Sequence, residues 1–279
     1  MRTIKIAGKI CASALLLILV FSACTPARYT KEYYDLFDTY TKVVSYGMPV
    51  PNAIYAELKY YHDLFNVYSP DFDSDAPKVQ ELVKLCEKYT SDSGGVFDVK
   101  LGAFTLMWKQ FIAAERPLPA EQEILEIKLS SVQPLYDFGA VAKGYVLDKL
   151  DPVLEELGFS GTVSIGGSVR AYGNPKIKRT YAIGITDPGG GIWKTIEIMP
   201  GQSVATSGNY ERYRDYEGIR YHHIIDPRTG YPAQSGVNGV TVVCDSAADA
   251  DFLSTAEFIK PSDSLLEIYN AEAYWIYEE

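Results

Sequence analysis

The 279-residue chain is short of several things. It has three histidines and four cysteines, and none of them falls in the spacing of a zinc site. Its one apolar run, Ile10 to Phe21, falls short of the about 20 residues a membrane-spanning helix needs. There is no internal repeat and no low-complexity tract. Positive charge is scarce, with 26 Lys and Arg against 36 Asp and Glu and a net charge of −10. Nucleic-acid binding needs clustered Lys and Arg, so the composition argues against it. If the substrate is an anion, positive charge has to be brought in, and a divalent cation does this with one ion.

What is present begins with a targeting pattern. Arg2, Lys5 and Lys9 precede the apolar run, and Ser22-Ala23-Cys24 follows it. This is the layout of a secretory signal. A small residue followed by Cys resembles the lipobox of bacterial lipoproteins, in which Cys24 takes the lipid and becomes the new N-terminus. The expected division is a signal peptide over 1–23, a lipid-anchored tether over 24–34 and one domain over 35–279, held to a membrane on its extracytoplasmic face. Cys86 and Cys244 remain in the mature chain. Export permits a disulfide, and their settings on a helix face and a strand fit two buried free thiols equally.

Periodicity sets the coarse organisation. A strand is expected over Leu36–Tyr46 and helices over Ala53–Tyr68 and around Val79–Tyr89. An acidic loop lies between these helices, and Phe97-Asp98-Val99 opens a new element. A further helix is expected over Ala142–Leu157. The second half reads as strands at Val163–Val169, Thr180–Ile185, Thr195–Met199, Val204–Ser207 and Val237–Cys244. A last helix covers Ala247–Phe258, capped by Ser246 with Asp249 at the capping-box position. The order is mixed, so the fold class is α+β, a mixed sheet with flanking helices. Most of the 22 tyrosines fit half-buried sheet and loop surface, with a minority left to meet a flat ligand.

Four segments carry chemistry. Asp137-Phe138-Gly139-Ala140-Val141-Ala142-Lys143-Gly144-Tyr145 is rich in small residues that let a backbone approach a ligand. It runs into a helix start, whose N–H groups suit an anion, and Lys143 adds a point charge. Ala205-Thr206-Ser207-Gly208-Asn209-Tyr210-Glu211 reads as a strand ending in a turn. Tyr221 to Pro232 holds His222 and His223, which point to opposite faces if that backbone is extended. Ala248 to Ala256 places Asp251 and Thr255 four apart, on one helix face. Their hard oxygens suit Mg²⁺, which takes few protein ligands and fills the rest with phosphate and water.

Taken together and in this order, these segments resemble the FAD:protein FMN transferase, or ApbE, family. Gly95-Val96-Phe97-Asp98-Val99 and Ile165-Gly166-Gly167 are similar to two more of its motifs. The resemblance implies an ApbE-like fold, FAD as substrate and one or two Mg²⁺. It implies metal ligation by the backbone oxygen of Ala140 and the side chains of Asp251 and Thr255, with Ser254 close by. It also implies FAD contacts from Asp137, Lys143 and the Ile225 backbone, with Phe37 and Tyr68 near the flavin or adenine. His223 matches the residue thought to assist transfer. Two positions depart: Phe72-Asp73-Ser74-Asp75 lacks a family motif, and Ser168 stands where Asn, Asp or Glu is common. The implied partner is an exported flavoprotein with a Thr or Ser acceptor, such as a subunit of a sodium-pumping NADH:quinone reductase or an Rnf-type complex.

The implied reaction moves FMN from FAD to that hydroxyl and releases AMP, with His223 as general base and Lys143 as a positive charge beside the phosphates. Two other readings compete: an FAD pyrophosphatase that gives free FMN and AMP, and a flavin-binding lipoprotein without chemistry. The N-terminal pattern has its own test. Cys24→Ala is expected to block lipidation and processing or to release the protein; an acylated variant that fractionates like the natural chain would refute the lipobox reading.

Overall fold

The computed structural model describes residues 26–130 and 135–278. The basic start, the apolar run and Cys24 lie outside the described residues. The first half runs β1 (Arg28–Leu36), β2 (Thr39–Tyr46), α1 (Asn52–Leu64), α2 (Pro77–Asp92), α3 (Gly102–Ile112), α4 (Glu121–Leu129), α5 (Ala142–Lys149) and α6 (Asp151–Glu156). Then come β3 (Gly161–Ile165), β4 (Ser168–Tyr172), β5 (Tyr181–Thr186), β6 (Ile192–Ile198), β7 (Ser203–Gly208), β8 (Tyr213–Tyr216) and β9 (Ile219–His222). The chain closes with β10 (Val237–Cys244), α7 (Ala247–Ile259), α8 (Asp263–Ile268) and β11 (Glu272–Tyr277).

Seven strands form one sheet in the order β1-β2-β3-β4-β7-β10-β11, and every pairing in it is antiparallel. Alternation along each strand sends one set of side chains to each face. Val43, Val163, Val240 and Val242 join the main core with Leu58, Leu82, Leu147 and Phe252 from α1, α2, α5 and α7. Inside that core Tyr89 stacks on Phe252 with ring centroids 4.1 Å apart. On the other face Ala171 and Val204 meet Tyr181, Ile185, Ile196 and Ile198 of the β5–β6 hairpin. The result is three layers: helices, sheet and hairpin. A satellite core gathers Phe104, Met107, Trp108 and Phe111 of α3 with Ile124 of α4. Tyr221 of β9 stacks against Trp108 at 5.5 Å.

Several boundaries differ from the sequence expectation, each for a local reason. The expected tether over 24–34 becomes β1 from Arg28 onward. Its side chains are almost all exposed, so it carries no apolar alternation; backbone pairing with β2 defines it. The expected helix 142–157 is two helices, because Pro152 has no amide to continue the first. The first helix stops at Leu64 rather than Tyr68. Phe97-Asp98-Val99 is a link without regular structure. Val163–Val169 is the β3–β4 hairpin, turned at Gly166-Gly167. By contrast β10 and the start of α7 fall where the sequence places them, and Ser246 Oγ accepts the Asp249 amide at 3.1 Å. Asp249 does not complete a capping box: its carboxylate accepts from Tyr89 Oη at 2.5 Å. Cys86 and Cys244 are both buried free thiols, and burial pushes the Cys86 thiol up to about 12.

Gly161 shows how tightly the sheet is built. A Cβ there would collide with the Val44 carbonyl and with Phe159 Cζ at 2.8 Å. Gly161→Ala is therefore expected to lower stability by about 1–3 kcal/mol, the usual cost of overpacking. Urea unfolding checks this; Gly161 lies at the end of the sheet away from the site described next.

Candidate active site

One cavity of about 610 Å³ opens at the end of the sheet where β1 turns into β2. Two turns, the end of a strand and the segment after β9 build its rim. Phe37 and Asp38 form the two-residue β1–β2 turn with positive φ at both, 53° and 50°. Such a turn suits the strand twist but is strained for residues with a Cβ. Phe37 is held there: its N–H donates to His62 Nδ1 at 2.9 Å. Gly166 makes the β3–β4 turn at φ +54°, where a Cβ would sit 2.9 Å from Thr39 Oγ1. Thr206 and Ser207 come from β7, and His223, Ile224 and Ile225 from the segment after β9.

Asp251 on α7 is the best-held group. It is buried, and three donors converge on it. Ser168 Oγ reaches Oδ1 at 2.8 Å; the Gly144 N–H and Lys143 Nζ reach Oδ2 at 3.0 and 3.3 Å. Lys143 Nζ also donates to the Gly139 carbonyl at 2.5 Å. The start of α5 is therefore not an open anion cradle, since the Gly144 amide serves Asp251. Ser168, which departs from the family pattern, is the hydroxyl that fixes one carboxylate oxygen. Thr255, one turn after Asp251, lies 3.2 Å from Ser207 Oγ.

Phe37, Tyr68, Asp137, Ala140, Lys143, His223, Ile225, Asp251 and Thr255 all line the cavity. Ser254 does not. It is fully buried, bonded to Ser207 Oγ and to the Asp251 carbonyl, both at 2.9 Å. Three residues from Asp251 on a helix, it turns toward the sheet, where Thr255 turns toward the cavity. Asp137 Oδ1 accepts the Gly139 amide at 2.8 Å and shapes the turn into α5.

The two histidines separate as their adjacency predicts. His222 is buried, edge-on to Phe258. Its Nε2 donates to the Ala233 carbonyl at 2.8 Å, and its Nδ1 accepts the Ile224 amide at 3.2 Å. His223 Nδ1 donates to the Arg212 carbonyl at 3.3 Å, which leaves Nε2 as the acceptor of the neutral ring. Burial, then the nearby Arg212, holds the His223 imidazole down to about 4, and burial does the same for His222. Both rings are therefore neutral near pH 7.

Sequence reasoning passed over several lining residues. Lys109 on α3 sits 5.3 Å from the Tyr68 ring centroid, and Arg212 reaches the Asp38 carbonyl at 3.5 Å. The signal for α3 was present in Phe104, Met107, Trp108 and Phe111, spaced as one helix face. Among the described residues no group of three His, Cys, Asp or Glu is placed to hold a metal. Asp38, Asp98, Asp137 and Glu211 also line the cavity, so a cation held at Asp251 would rest on that one carboxylate with neutral oxygens beside it. The donor set fits such an ion: Asp251, the Thr255 hydroxyl and Ala140 line one cavity, and an ammonium already lies against the carboxylate.

This arrangement can be compared with known proteins. A model of the ApbE family matches residues 37–275. The chain belongs to the ApbE family. The ApbE protein of Thermotoga maritima, solved by crystallography, superposes with a TM-score of 0.77 at 28% identity, covering 90% of this chain and 94% of that one. The α+β ApbE fold is thus established. The FAD:protein FMN transferase of Treponema pallidum is 32% identical over 240 residues, 72% of this chain and 66% of that protein. That of Rhodobacter capsulatus is 29% identical over 272 residues, 83% of this chain and 51% of that protein. The chain spans about half to two thirds of the length of these two curated relatives.

Asp251 and Ser254 predict different losses in this ApbE chain. For the Mg²⁺ site proposed below, Asp251→Ala is expected to abolish Mg²⁺ binding in isothermal titration run with FAD present. Ser254→Ala is expected to keep it and to lower stability by about 1 kcal/mol, the worth of a hydrogen bond. Equal Mg²⁺ affinity in Asp251→Ala would remove Asp251 from the cation site.

Proposed function

We propose that this chain transfers FMN from FAD to a Thr or Ser hydroxyl of a partner flavoprotein and releases AMP. The observation that carries the reading is the meeting, in one cavity, of an oxygen donor set around Asp251 with Lys143 and a neutral His223. FAD carries a diphosphate between its two halves, and Asp251 alone would repel it. Lys143 offsets Asp251 one for one, so the diphosphate charge still needs a partner. Asp251, Thr255 and the Ala140 carbonyl would hold Mg²⁺. When bound, that ion neutralises the phosphate oxygens and stabilises charge on the leaving group.

The residues of the chain do the rest. Phe37 and Tyr68 offer aromatic surface to a flat ring. Nε2 of His223 accepts the proton of the incoming hydroxyl. The hydroxyl oxygen bonds to the phosphorus of the FMN half, the link from that phosphorus to the bridging oxygen breaks, and AMP leaves with the electron pair. Lys143 adds positive charge beside it. A general base is typically worth about 100- to 10,000-fold. The same site with water in place of the acceptor would give free FMN. Mixing protein, FAD, Mg²⁺ and an acceptor separates the outcomes: fluorescence on the denatured acceptor means transfer, free FMN means hydrolysis, and intact FAD means storage. We further propose that a lipid on Cys24 holds the domain at the extracytoplasmic face of a membrane.

His223→Ala is expected to slow transfer by at least about 100-fold while FAD affinity stays nearly the same. His222→Ala is expected to keep kcat and lose about 1–3 kcal/mol of stability, because it strands the Ala233 carbonyl and the Ile224 amide. The pH profile follows from the lowered imidazole. His223 must be neutral to act, so rate falls only as pH drops toward about 4, below the ordinary histidine range. An essential His222, or a pH profile that His223→Ala leaves unchanged, would overturn the assignment.

A further inference from the structure

The antiparallel sheet has two ends with different contents. At one end lie Phe37, Asp38, Gly166, Gly167 and Gly208, all lining the cavity. The chain enters the fold at the other end, where Arg28 pairs with Tyr46 and the Gly47 amide donates to the Ala27 carbonyl at 2.8 Å. β2 runs eight residues between the ends, about 25 Å at the rise of a strand.

A basic loop sits at the entry end. Lys176, Ile177, Lys178 and Arg179 follow β4 and lead into β5. The loop is tied down beside the entry point: the Asn174 amide donates to Ser160 Oγ at 3.1 Å, and the Tyr46 amide donates to the Ser160 carbonyl at 2.8 Å. Lys178 Nζ lies 5.2 Å from the Tyr46 ring centroid, and Tyr46 packs on Tyr181. Among the described residues none of the three basic side chains is in an ion pair. Ile177 is 41% exposed and Met199, which follows the Ile198 that pairs with Tyr181, is 55% exposed. On a chain of net charge −10, a local group of unpaired cations with exposed apolar side chains suits an anionic interface.

Covalent geometry supplies the partner. Cys24 is two residues before Pro26, a reach of about 7 Å when extended. We infer that the entry end of the domain rests on anionic lipid headgroups through Lys176, Ile177, Lys178 and Arg179, so that the active-site end faces away from the membrane. This rests on the lipid anchor proposed above. The lipid supplies attachment, and the basic loop supplies orientation. An acceptor then meets the cavity about 25 Å above the lipid surface, the length of β2.

The test uses the full lipidated chain in vesicles of phosphatidylcholine, alone or mixed equally with phosphatidylglycerol. Ile177→Cys and, on α4, Leu125→Cys each carry a fluorophore; Cys86 and Cys244 are buried and stay unlabelled. With the same fraction of brominated phosphatidylcholine in both kinds of vesicle, the Ile177 label is expected to be quenched several-fold more than the Leu125 label where phosphatidylglycerol is present. The difference is expected to vanish in phosphatidylcholine alone, in high salt, and when Lys176→Glu, Lys178→Glu and Arg179→Glu are combined. That triple variant lies outside the cavity and keeps its FMN transfer to a soluble acceptor. Equal quenching of both labels on vesicle-bound, acylated protein would overturn the orientation while leaving the anchor intact. Protein that lacks the acyl mass and stays in the supernatant would overturn the anchor, and the orientation with it.

Discussion

The close crossing of α5 and α7 is the constraint on which fold and site both depend. Gly144 makes it possible, because any Cβ there would overlap the Ala247 carbonyl. With the helices that close, Asp148 at the end of α5 accepts the amides of Ala247 and Ala248 at 2.8 and 2.9 Å and so caps α7. Burial still pushes the Asp148 carboxyl up from its ordinary value, with Arg170 opposing. Arg170 reaches from β4 to Asp151 at 2.7 Å, and to Ser203 at 2.8 Å. One buried guanidinium therefore ties sheet, α6 and the α5–α7 junction together. The same crossing brings the Gly144 amide onto Asp251. A residue larger than Gly at 144 would disturb packing, cap and carboxylate at once.

Holding a single carboxylate by three donors has a chemical consequence. Two or three clustered acids would bind a metal without substrate and would repel a diphosphate when it left. With one carboxylate and neutral oxygens, a Mg²⁺ held at Asp251 as proposed would be shared between protein and substrate phosphates, so tight cation binding would depend on the anionic substrate being present. The arrangement also explains how a chain of net charge −10 can act on an anion. The field that matters is local, set by Lys143, Lys109 and Arg212 in the cavity lining, to which the proposed Mg²⁺ would add, and the distant surface charge is screened within about one Debye length, roughly 8–10 Å.

What could be read from the sequence was what a local pattern specifies. β10 is rich in β-branched residues and buried on both faces, and α7 begins at a Ser cap, so both were legible. The opposition of His222 and His223 follows from a backbone period of two and needs no tertiary knowledge. β1 was not legible, since an exposed edge strand pairs through its backbone and shows polar side chains on both faces. The split at Pro152 was legible in principle; the apolar run through it masked the missing amide. Ser254 is instructive within the site. Positions three and four after Asp251 both lie near it on a helix, and only the packing of α7 on β7 and β10 decides which of them faces solvent. The cavity's remaining cations, Lys109 and Arg212, come from α3 and from the turn before β8. Long-range aromatic packing of Trp108 with Tyr221 brings these together, and no local window contains that contact.

The cavity end of the sheet breaks rules that most of the rest of it keeps. β2 pairs regularly with β3 up to the rim, the β1–β2 register shifts between Tyr33 and Leu36, and there Phe37 and Asp38 take a left-handed turn without a glycine. Such positions cost on the order of 1–3 kcal/mol each, and here they are held by a ring nitrogen on Phe37 N–H and an Arg212 contact to the Asp38 carbonyl. At the opposite end the turns at Gly47 and Gly173 use glycine for positive φ, and Asn270, before β11, is the exception. Local sequence preference and global fold agree across most of the domain, as foldability requires. They part where a large aromatic and a carboxylate are wanted at the lip of a cavity, and glycine could provide neither. The strain at Phe37-Asp38 is therefore best understood as the cost of presenting those two side chains from the shortest turn that can join β1 to β2.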